Sequence, residues 1–298
     1  MKLIIVYRKK EYPVEVNEKQ TVLDFKKDLK KQFKLSVERQ ALKIDIEGKE
    51  PIRFDNDEKL MIYYFVFNYD LPQVKLRDLG PQIGYRTVFI FEYLGPLLIM
   101  LLLSYQPSFI YGQITSSMSA VAKRAVLCWE LHYLKRLFET FFVHKFSRGT
   151  MPLTNLFKNC TYYWGFAFYV GYTLCSPLYT PPTNMKLVRI ATMAMLICEL
   201  INGAVHLQFR FMRGTDKTSR PMPTGFLFAL VSCPNYTAEV CSWICFSTMT
   251  HSFPSILFTL CGFYQMTEWA LKKHRNYIKV YGTAYKNLHR KAIVPFLL

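Results

Sequence analysis

One apolar stretch of this 298-residue chain, residues 224–250, contains a group of polar side chains that could take part in proton transfer. Asn235 and Glu239 are four residues apart, and Tyr236 and Glu239 are three apart, so one wall of a helix would carry all three. A tyrosine hydroxyl or a buried carboxylic acid can polarise a carbonyl and donate a proton. The spacing therefore predicts an acid–base group in this stretch.

A second apolar stretch, residues 120–143, is also interrupted by ionisable side chains. His132, Arg136 and Glu139 would share one helical face with Tyr133 adjacent, and another acid, Glu92, lies in the preceding stretch. An ionisable group within a membrane span costs about 2.5–3.5 kcal/mol on insertion scales, so each needs a reason. Arginine suits the binding of a phosphorylated cofactor. The alternative is that these groups pair with one another and only hold helices together.

Several other kinds of site are excluded by the motifs that the sequence lacks. It contains no GxGxxG or GxxxxGK segment, which excludes a Rossmann or P-loop phosphate cradle. The eight cysteines form no CxxC pair, and no His/Cys cluster has zinc-ligand spacing. We therefore expect no metal site and interpret the cysteines as buried thiols.

The charge distribution divides the chain into two parts. Residues 1–80 hold 17 Lys/Arg and 14 Asp/Glu, whereas the remainder holds 21 Lys/Arg and only seven Asp/Glu. The net charge of +17 therefore splits into about +3 in front and +14 behind. All eight cysteines and most apolar residues lie in the second part. This composition excludes a single water-soluble globule, a disordered chain, a small disulfide framework and a nucleic-acid binder.

Six apolar stretches have the length of about 20 residues that a membrane span requires. They lie near residues 87–105, 120–143, 155–175, 186–208, 224–250 and 253–271. The loops 106–119, 176–185 and 251–252 contain no Lys or Arg, whereas 144–154, 209–223 and the tail do. Basic residues on alternate loops predict an even number of spans with both termini in the cytosol.

Four basic residues do not follow this alternation. Lys123, Arg124, Lys186 and Arg189 lie at the start of spans that are entered from the uncharged side. The sequence nevertheless predicts, over residues 86–298, a multi-span α-helical membrane protein with six transmembrane helices. A short helix near 224–233 would make seven.

The first 70 residues are predicted to form a soluble α+β domain. Thr21 is a good N-cap for its helix. Alternating apolar residues predict strands at 2–7, 12–16, 41–46 and 60–67. The order strand, strand, helix, strand, strand resembles a ubiquitin-like fold. Because this region has no histidine and its carboxylates are scattered, we expect a docking module and not a catalytic one.

Two further expectations concern the ends of this front domain. Residues 71–85 are interpreted as a linker to the membrane part. Charges from Arg8 onward interrupt the apolar core that a cleavable signal peptide needs, so the front domain is expected to stay on the cytosolic side.

Six segments of the chain resemble motifs of the steroid 5-alpha-reductase family, and within it the very-long-chain trans-2-enoyl-CoA reductases. They are 91–96 (FEYLGP), 132–136 (HYLKR), 143–152 (VHKFSRGTMP), 159–165 (NCTYYWG), 232–237 (SCPNYT) and 293–298 (IVPFLL). A ubiquitin-like front domain followed by such a membrane part is also the layout of the enoyl-CoA reductases. The resemblance extends over essentially the whole chain.

The resemblance implies an endoplasmic reticulum enzyme that performs the last reduction of fatty-acid elongation. NADPH would give a hydride to the β-carbon of a long-chain trans-2-enoyl-CoA, and a protein acid would protonate the α-carbon. The acyl tail would lie between the spans, within membrane lipid. Condensing, ketoreducing and dehydrating enzymes of the same cycle would be its partners.

The resemblance also implies roles for individual residues. Tyr236 is the leading proton donor, with Glu239 beside it, and Glu92 and Tyr133 occupy positions that polarise the enone carbonyl in the steroid branch. Six residues fall at positions that resemble NADPH contacts: Asn202, Arg213, Arg220, Asn235, Arg275 and Tyr285.

The sequence departs from the family pattern at two places. His206 stands where the steroid branch has an acid. The segment 281–286 lacks the usual acidic spacing before its tyrosine, so Tyr281 could take the role of Tyr285.

Two other functions remain open at this stage. A steroid or polyprenol reductase would use the same hydride chemistry on another enone, although the front domain and the CPNYT string favour acyl-CoA. A non-catalytic scaffold that organises elongation enzymes is the alternative from a different class.

Overall fold

The computed structural model describes residues 2–46, 50–65, 72–113, 117–146, 149–213 and 221–298. It divides into two compact units. The sheet unit comprises Met1–Tyr85 and Arg148–Asn155, and the helical unit comprises Arg86–Ser147 and Leu156–Leu298. Each unit has its own cluster of buried hydrophobic side chains.

The larger sheet of the sheet unit has five strands, and one helix packs against it. The strands are β1 (Lys2–Tyr7), β2 (Lys10–Glu15), β3 (Gln40–Ile44), β4 (Ile52–Arg53) and β5 (Gln73–Asp78). Their order is β2-β1-β5-β3-β4, in which β1 and β5 run parallel and the other neighbours antiparallel. Helix α1 (Val22–Phe33) begins as expected at Thr21, whose hydroxyl accepts a hydrogen bond from the Asp24 amide. Phe25 and Leu29 of α1 are buried in the core of this sheet.

The last strand of the sheet does not lie where the sequence predicts it. Within 60–67, Met61–Tyr64 forms a 3₁₀ helix, because the buried residues there are three apart and not two. Strand β5 lies within 71–85, which was predicted as a linker, and alternates buried Val74 and Leu76 with exposed charged residues. Short β6 (Gln82–Gly84) pairs antiparallel with β7 (Thr150–Pro152) in the same unit.

The helical unit contains helices at all six of the predicted apolar stretches. Its elements are α2 (Tyr85–Ser104), α3 (Ser108–Tyr111), α4 (Ala120–Phe142), α5 (Leu153–Cys175), α6 (Met185–Met212), α7 (Pro234–Thr250), α8 (Phe253–Tyr281) and α9 (Thr283–Lys286). Helix α7 begins at Pro234 and not at 224, because proline is favoured in the first turn of a helix. The segment 224–233 contains the 3₁₀ helix Phe226–Ala229, which is too short to cross a bilayer.

Two helices of the described chain, α2 and α6, are long and apolar enough to cross a membrane by length and composition. Helix α4 is as long as α2 but carries several charges. The six-span count therefore stays a prediction, whereas the positions of the helices agree with it.

A close approach between α2 and α5 fixes the segment of α2 that carries Glu92 and Tyr93. A Cβ atom added to Gly95 would lie within 2.3 Å of the Trp164 indole, so only glycine lets the two helices pack this closely. The indole N–H of Trp164 donates to the Phe91 carbonyl at 2.9 Å. Behind this contact, Trp129 and Phe246 fill the core with no exposed surface.

Candidate active site

Helices α4 and α6 lie side by side and run in the same direction. Three contacts join them: His132 with Glu199, Lys135 with Asn202, and Glu139 with His206. The partners are separated by the same 67 residues along the chain in each case, so the two helices are parallel and keep a constant register. Polar side chains on the facing sides are thereby brought into one row.

Glu199 is the centre of the first part of this row. Its carboxylate lies 2.8 Å from the Lys135 ammonium and 2.9 Å from His132 Nδ1, and it accepts a hydrogen bond of 2.5 Å from the Ser242 hydroxyl of α7. The side chains of His132 and Glu199 are only 3% and 12% exposed. A buried carboxylate needs such partners, because an isolated charge in this environment is very costly.

Glu139 is the centre of the second part. Arg136 Nη1 donates to its carboxylate at 2.6 Å, and His206 Nδ1 lies 2.9 Å from the same oxygen. The other guanidinium nitrogen donates to the Tyr93 hydroxyl of α2 at 2.7 Å. His206, which stands where the steroid branch has an acid, is thus paired with an acid from the neighbouring helix.

Helix α7 completes the row through Asn202. The side-chain amide of Asn202 donates to the Asn235 carbonyl at 2.9 Å and to the Glu239 carboxylate at 3.0 Å. The other Glu239 oxygen lies 3.4 Å from His132 Nε2. Three predicted site residues, Asn202, Asn235 and Glu239, are therefore in direct contact.

We call the whole set the buried polar network. Its members are His132, Lys135, Arg136, Glu139, Glu199, Asn202, His206, Glu239 and Ser242. Lys135 and Arg136 supply positive charge to its three carboxylates. The ring nitrogens of His132 and His206 also lie against these carboxylates. The network links α4, α6 and α7 within the helical unit, so it fixes the relative positions of the helices that carry the predicted site.

The buried polar atoms without a hydrogen-bond partner among the described residues include the Tyr133 hydroxyl and Asn235 Oδ1, which lie next to this network. Tyr133 has no exposed surface, and its ring contacts His132 and Trp243. A buried donor or acceptor without a partner costs about 1–3 kcal/mol. Such atoms suit a ligand that brings its own polar groups, for example the carboxamide of a nicotinamide for Asn235.

Glu92 belongs to α2 and forms a hydrogen-bonded pair with Asn159 outside the buried polar network. Its carboxylate accepts a hydrogen bond from the Asn159 side chain of α5, and it is 3% exposed. The neighbouring residue Tyr93 connects α2 to the network through Arg136, and its ring lies 6.3 Å from that of Tyr133. Glu92 and Tyr133 are thus adjacent to the network from two helices.

Tyr236 projects from α7 toward α8. Its ring packs against a cluster that includes Cys233, Met266 and Ala270, with the Trp269 ring 6.2 Å away. Tyr236 is three residues before Glu239 on the same helix, as predicted. The two side chains lie on neighbouring parts of one helix wall, one directed at α8 and the other at Asn202.

The remaining predicted cofactor residues make contacts apart from the network. The Tyr285 hydroxyl lies 2.5 Å from the Ser232 hydroxyl. The Arg213 guanidinium donates to the Lys145 carbonyl, and Arg275 donates within its own helix to the Leu271 carbonyl at 3.3 Å. The alternative Tyr281 has its ring 6.3 Å from that of Tyr277. Arg220 lies outside the described residues.

Only two members of the network, Asn202 and Glu239, were predicted as site residues. The sequence placed His132, Arg136 and Glu139 on one helical face without a site role. It marked His206 only as a departure from the family pattern.

Lys135, Glu199 and Ser242 received no role, although each contacts Asn202 or another network member. Glu199 is one of only seven acids after residue 80, which is the signal that could have marked it. Its partner could not be identified without the register of α4 against α6.

One group of ligand-type side chains bears on the expectation that there is no metal site. Glu139, His144 and His206 bring their nitrogen and oxygen atoms within 4.8 Å of one another. Arg136 already donates to the Glu139 oxygen that faces His206. A guanidinium in this position would repel a divalent cation, so the group fits a charge-paired carboxylate better than a metal centre.

The pairing of Lys135 with Glu199 predicts a coupled effect on stability. Lys135→Met and Glu199→Gln should each lower the free energy of unfolding by about 3 kcal/mol, because each leaves a buried charge short of a partner. The double variant should lose clearly less than the sum, which thermal unfolding of the purified chain in detergent would measure. Lys158→Met, at an exposed lysine on α5, is the control. Strictly additive losses would contradict the pairing.

Comparison with known proteins agrees with this architecture. Residues 149–298 match the model of the 3-oxo-5-alpha-steroid 4-dehydrogenase family. A Trypanosoma brucei brucei protein that carries an enoyl-CoA reductase name is 52% identical over 77% of this chain and 76% of its own length. A Caenorhabditis elegans protein with a very-long-chain enoyl-CoA reductase name is 44% identical over 94% of this chain and 92% of its own length.

A third relative extends the same comparison. The very-long-chain enoyl-CoA reductase of Dictyostelium discoideum is 42% identical over 93% of this chain and 92% of its own length. Two apolar helices and the match to this family identify a membrane protein. The relatives span both units and the family model spans half the chain, so the chain belongs to the enoyl-CoA reductases of the steroid 5-alpha-reductase family.

Proposed function

We propose that the chain reduces very-long-chain trans-2-enoyl-CoA to saturated acyl-CoA with NADPH, as the last step of fatty-acid elongation. The observation that carries the proposal is the pair of buried atoms without a hydrogen-bond partner, the Tyr133 hydroxyl and Asn235 Oδ1, beside Glu239, which accepts a hydrogen bond from Asn202. The names of relatives that cover both units support an acyl-CoA substrate and a nicotinamide cofactor.

The reaction requires that a thioester oxygen be stabilised while the double bond is reduced. NADPH supplies a hydride to C3 (the β-carbon) when bound, and a proton reaches C2 (the α-carbon). The double bond thereby gains two electrons and two hydrogens. The negative charge that develops on the thioester oxygen needs a neutral donor in a dry site. Tyr133 supplies such an O–H, since its hydroxyl is fully buried and makes no hydrogen bond to the described residues. Glu92, when protonated, would be a second donor.

We assign Tyr236 as the donor of the proton that reaches C2. Glu239 would then return a proton to the Tyr236 hydroxyl. The Tyr236 ring is held by Cys233 and Met266, and general acids of this kind contribute about 10²–10⁴ in rate. Glu239 keeps its position because Asn202 donates to one of its oxygens and His132 faces the other. We propose that this arrangement orients Glu239 without leaving it as a free charge.

The cofactor would extend from the network to the basic end of the helical unit. Asn235 Oδ1 offers an acceptor to the nicotinamide carboxamide, and Asn202 holds the backbone of Asn235 in place through a 2.9 Å hydrogen bond. Arg213, Arg220 and Arg275 would hold its phosphates, since guanidinium groups bind phosphate by paired hydrogen bonds. Tyr285 would position the rest of the cofactor.

The membrane arrangement is part of the same proposal. Helices α2, α4, α5, α6, α7 and α8 would be the six spans, with both termini in the cytosol and the protein in the endoplasmic reticulum. Lysine and arginine then concentrate at the cytosolic end, where the anionic CoA and NADPH phosphates would approach. The acyl tail would lie among the apolar side chains between the helices.

We propose a ubiquitin-like docking role for the sheet unit. Its strand order β2-β1-β5-β3-β4 with β1 and β5 parallel, and a helix between β2 and β3, supports this fold. The part of this unit that is described in residues 2–46, 50–65 and 72–84 contains no histidine. Its partners would be other enzymes of the elongation cycle.

A second candidate substrate is favoured by the description of the matching family, which names a steroid dehydrogenase. A 4-ene-3-ketosteroid or a polyprenol enone would undergo the same hydride and proton additions. The two relatives described above that cover both units carry enoyl-CoA reductase names, which supports acyl-CoA as the substrate. A non-catalytic scaffold is the alternative of a different class.

Substrate preference tests the proposed function. Purified chain incubated with NADPH and a trans-2-enoyl-CoA should oxidise NADPH and yield the saturated acyl-CoA, as mass spectrometry of the product would record. Parallel incubations with a 4-ene-3-ketosteroid and with a polyprenol enone should show no turnover. Turnover of the steroid alone would assign the steroid function, and no turnover of any substrate would favour the scaffold.

Removal of one hydroxyl tests the proton donor. Tyr236→Phe should lower turnover of the enoyl-CoA by about 10²–10⁴, because a general acid is lost without emptying the core. Protein abundance in membranes should change little. Tyr264→Phe, at a tyrosine of α8 that is 70% exposed, is the matched control and should keep full activity. A Tyr236→Phe variant that loses activity only in proportion to its abundance would show that the residue has a structural role.

A further inference from the structure

A groove lies between the N-terminal halves of α4 and α6, on the N-terminal side of the buried polar network. Its volume is about 450 Å³. Leu127, Leu131 and Leu196 line its apolar part, and they are 58%, 46% and 40% exposed. Lys123 and Arg124 lie at one end of the same groove. The groove thus combines an apolar floor with a cationic mouth.

Helix α6 adds two more cations at this end. The two helices are parallel with an offset of 67 residues, so Arg189 of α6 is level with Ala122 of α4. Arg189 precedes Thr192, which lines the groove, by three residues on the same helical face, and Lys186 precedes Arg189 by another three. Lys123 and Arg124 therefore line the mouth. Arg189 lies near the same level on the neighbouring helix, and Lys186 lies further around α6 at the same end.

These cations have no acidic counterpart in the part of the chain that the structure describes. Within residues 72–113, 117–146, 149–213 and 221–298, none of the four forms an ion pair within 4.0 Å. They are also the four residues that break the alternation of basic loops along the sequence. A cation at the end of a membrane helix is stabilised by an anionic headgroup at the same level.

The groove is separate from the proposed active site. Arg124 is eight residues before His132 on α4, which is about 12 Å along a helix. The basic residues assigned to cofactor phosphates follow the C-terminal end of α6 or lie on α8 and beyond, whereas the groove lies at the N-terminal end of α6. The same phosphate cannot be shared by the two places.

We propose that this groove binds one anionic glycerophospholipid of the surrounding membrane. Its phosphate would contact Lys123 and Arg124 from α4 and Arg189 from α6, and one acyl chain would lie along the leucine floor. Charge complementarity favours this occupant, since a phosphate at headgroup level meets the unpaired cations while the acyl chain covers exposed leucines.

A second copy of the chain is a poorer occupant. The helical unit has only seven acids after residue 80, and Glu92, Glu139 and Glu199 are engaged in the pairs described above. A second helical unit could therefore offer few carboxylates to four cations. A lipid phosphate supplies negative charge to the cations and does not depend on the small number of carboxylates in the helical unit.

Binding of a labelled lipid to the full-length chain tests the proposal. Purified protein in phosphatidylcholine nanodiscs is titrated with labelled phosphatidic acid and, separately, with labelled phosphatidylcholine, and the bound fraction is measured. The test variant is Lys123→Gln with Arg124→Gln. The matched control is Lys158→Gln with Lys272→Gln, which removes two exposed helix lysines outside the groove. A Leu131→Trp variant fills the apolar part and keeps every charge.

The wild-type chain should prefer phosphatidic acid. The test variant should lose about 30-fold in that preference, the equivalent of about 1 kcal/mol for each cation, and the control pair should keep it. Leu131→Trp should also weaken binding while its elution profile stays unchanged. Three results would each overturn the proposal. They are equal losses in the test and control pairs, unchanged binding in Leu131→Trp, and no preference for phosphatidic acid in the wild-type chain. A concentration-dependent dimer that the test variant abolishes would also overturn it, since such a dimer would assign the groove to a second copy.

Discussion

Charge within the helical unit can be buried only if it is paired, and this constraint sets the arrangement of α4, α6 and α7. Glu139 and Glu199 are almost fully buried, and each meets a cation from α4 within 2.8 Å. If α4 shifted by one turn against α6, at least one carboxylate would lose its partner, at a cost of about 3–5 kcal/mol. The common offset of 67 residues in three contacts is the geometric result of this requirement.

The same pairing prepares the neighbouring groups for chemistry. Asn202 is committed to Glu239 and to the Asn235 backbone, so these residues need no reorganisation when a ligand arrives. The atoms without partners, Tyr133 Oη and Asn235 Oδ1, are those that a ligand can satisfy. Stability and proposed function therefore depend on neighbouring side chains, since the paired network members hold the helices that carry Tyr133 and Asn235.

Much of the helical architecture could be predicted because it depends on local patterns. Apolar stretches located all six long helices, and the spacing of Asn235, Tyr236 and Glu239 placed them on one wall of α7. Strand β5 was missed because its exposed lysine and arginine resemble a loop unless Val74 and Leu76 are seen to alternate inward.

The pairing between helices could not be predicted in this way. Lys135 meets Glu199, and Glu139 meets His206, only because α4 and α6 run parallel at a particular offset. The periodicity of either helix alone does not specify that offset, because the offset depends on which side chains of the two helices meet. The direction of the Tyr236 ring toward α8 is another property of packing, because helical spacing gives a face but not the neighbour that this face contacts.

An experimental structure of the full chain with NADP⁺ bound would show whether the helices held by the buried polar network also hold the cofactor. We expect the nicotinamide beside Asn202 and Glu239, with its carboxamide nitrogen donating to Asn235 Oδ1 and the Tyr133 hydroxyl facing the adjacent substrate space. A cofactor bound away from α4, α6 and α7, with Asn235 Oδ1 and the Tyr133 hydroxyl still buried and unpaired, would contradict this expectation.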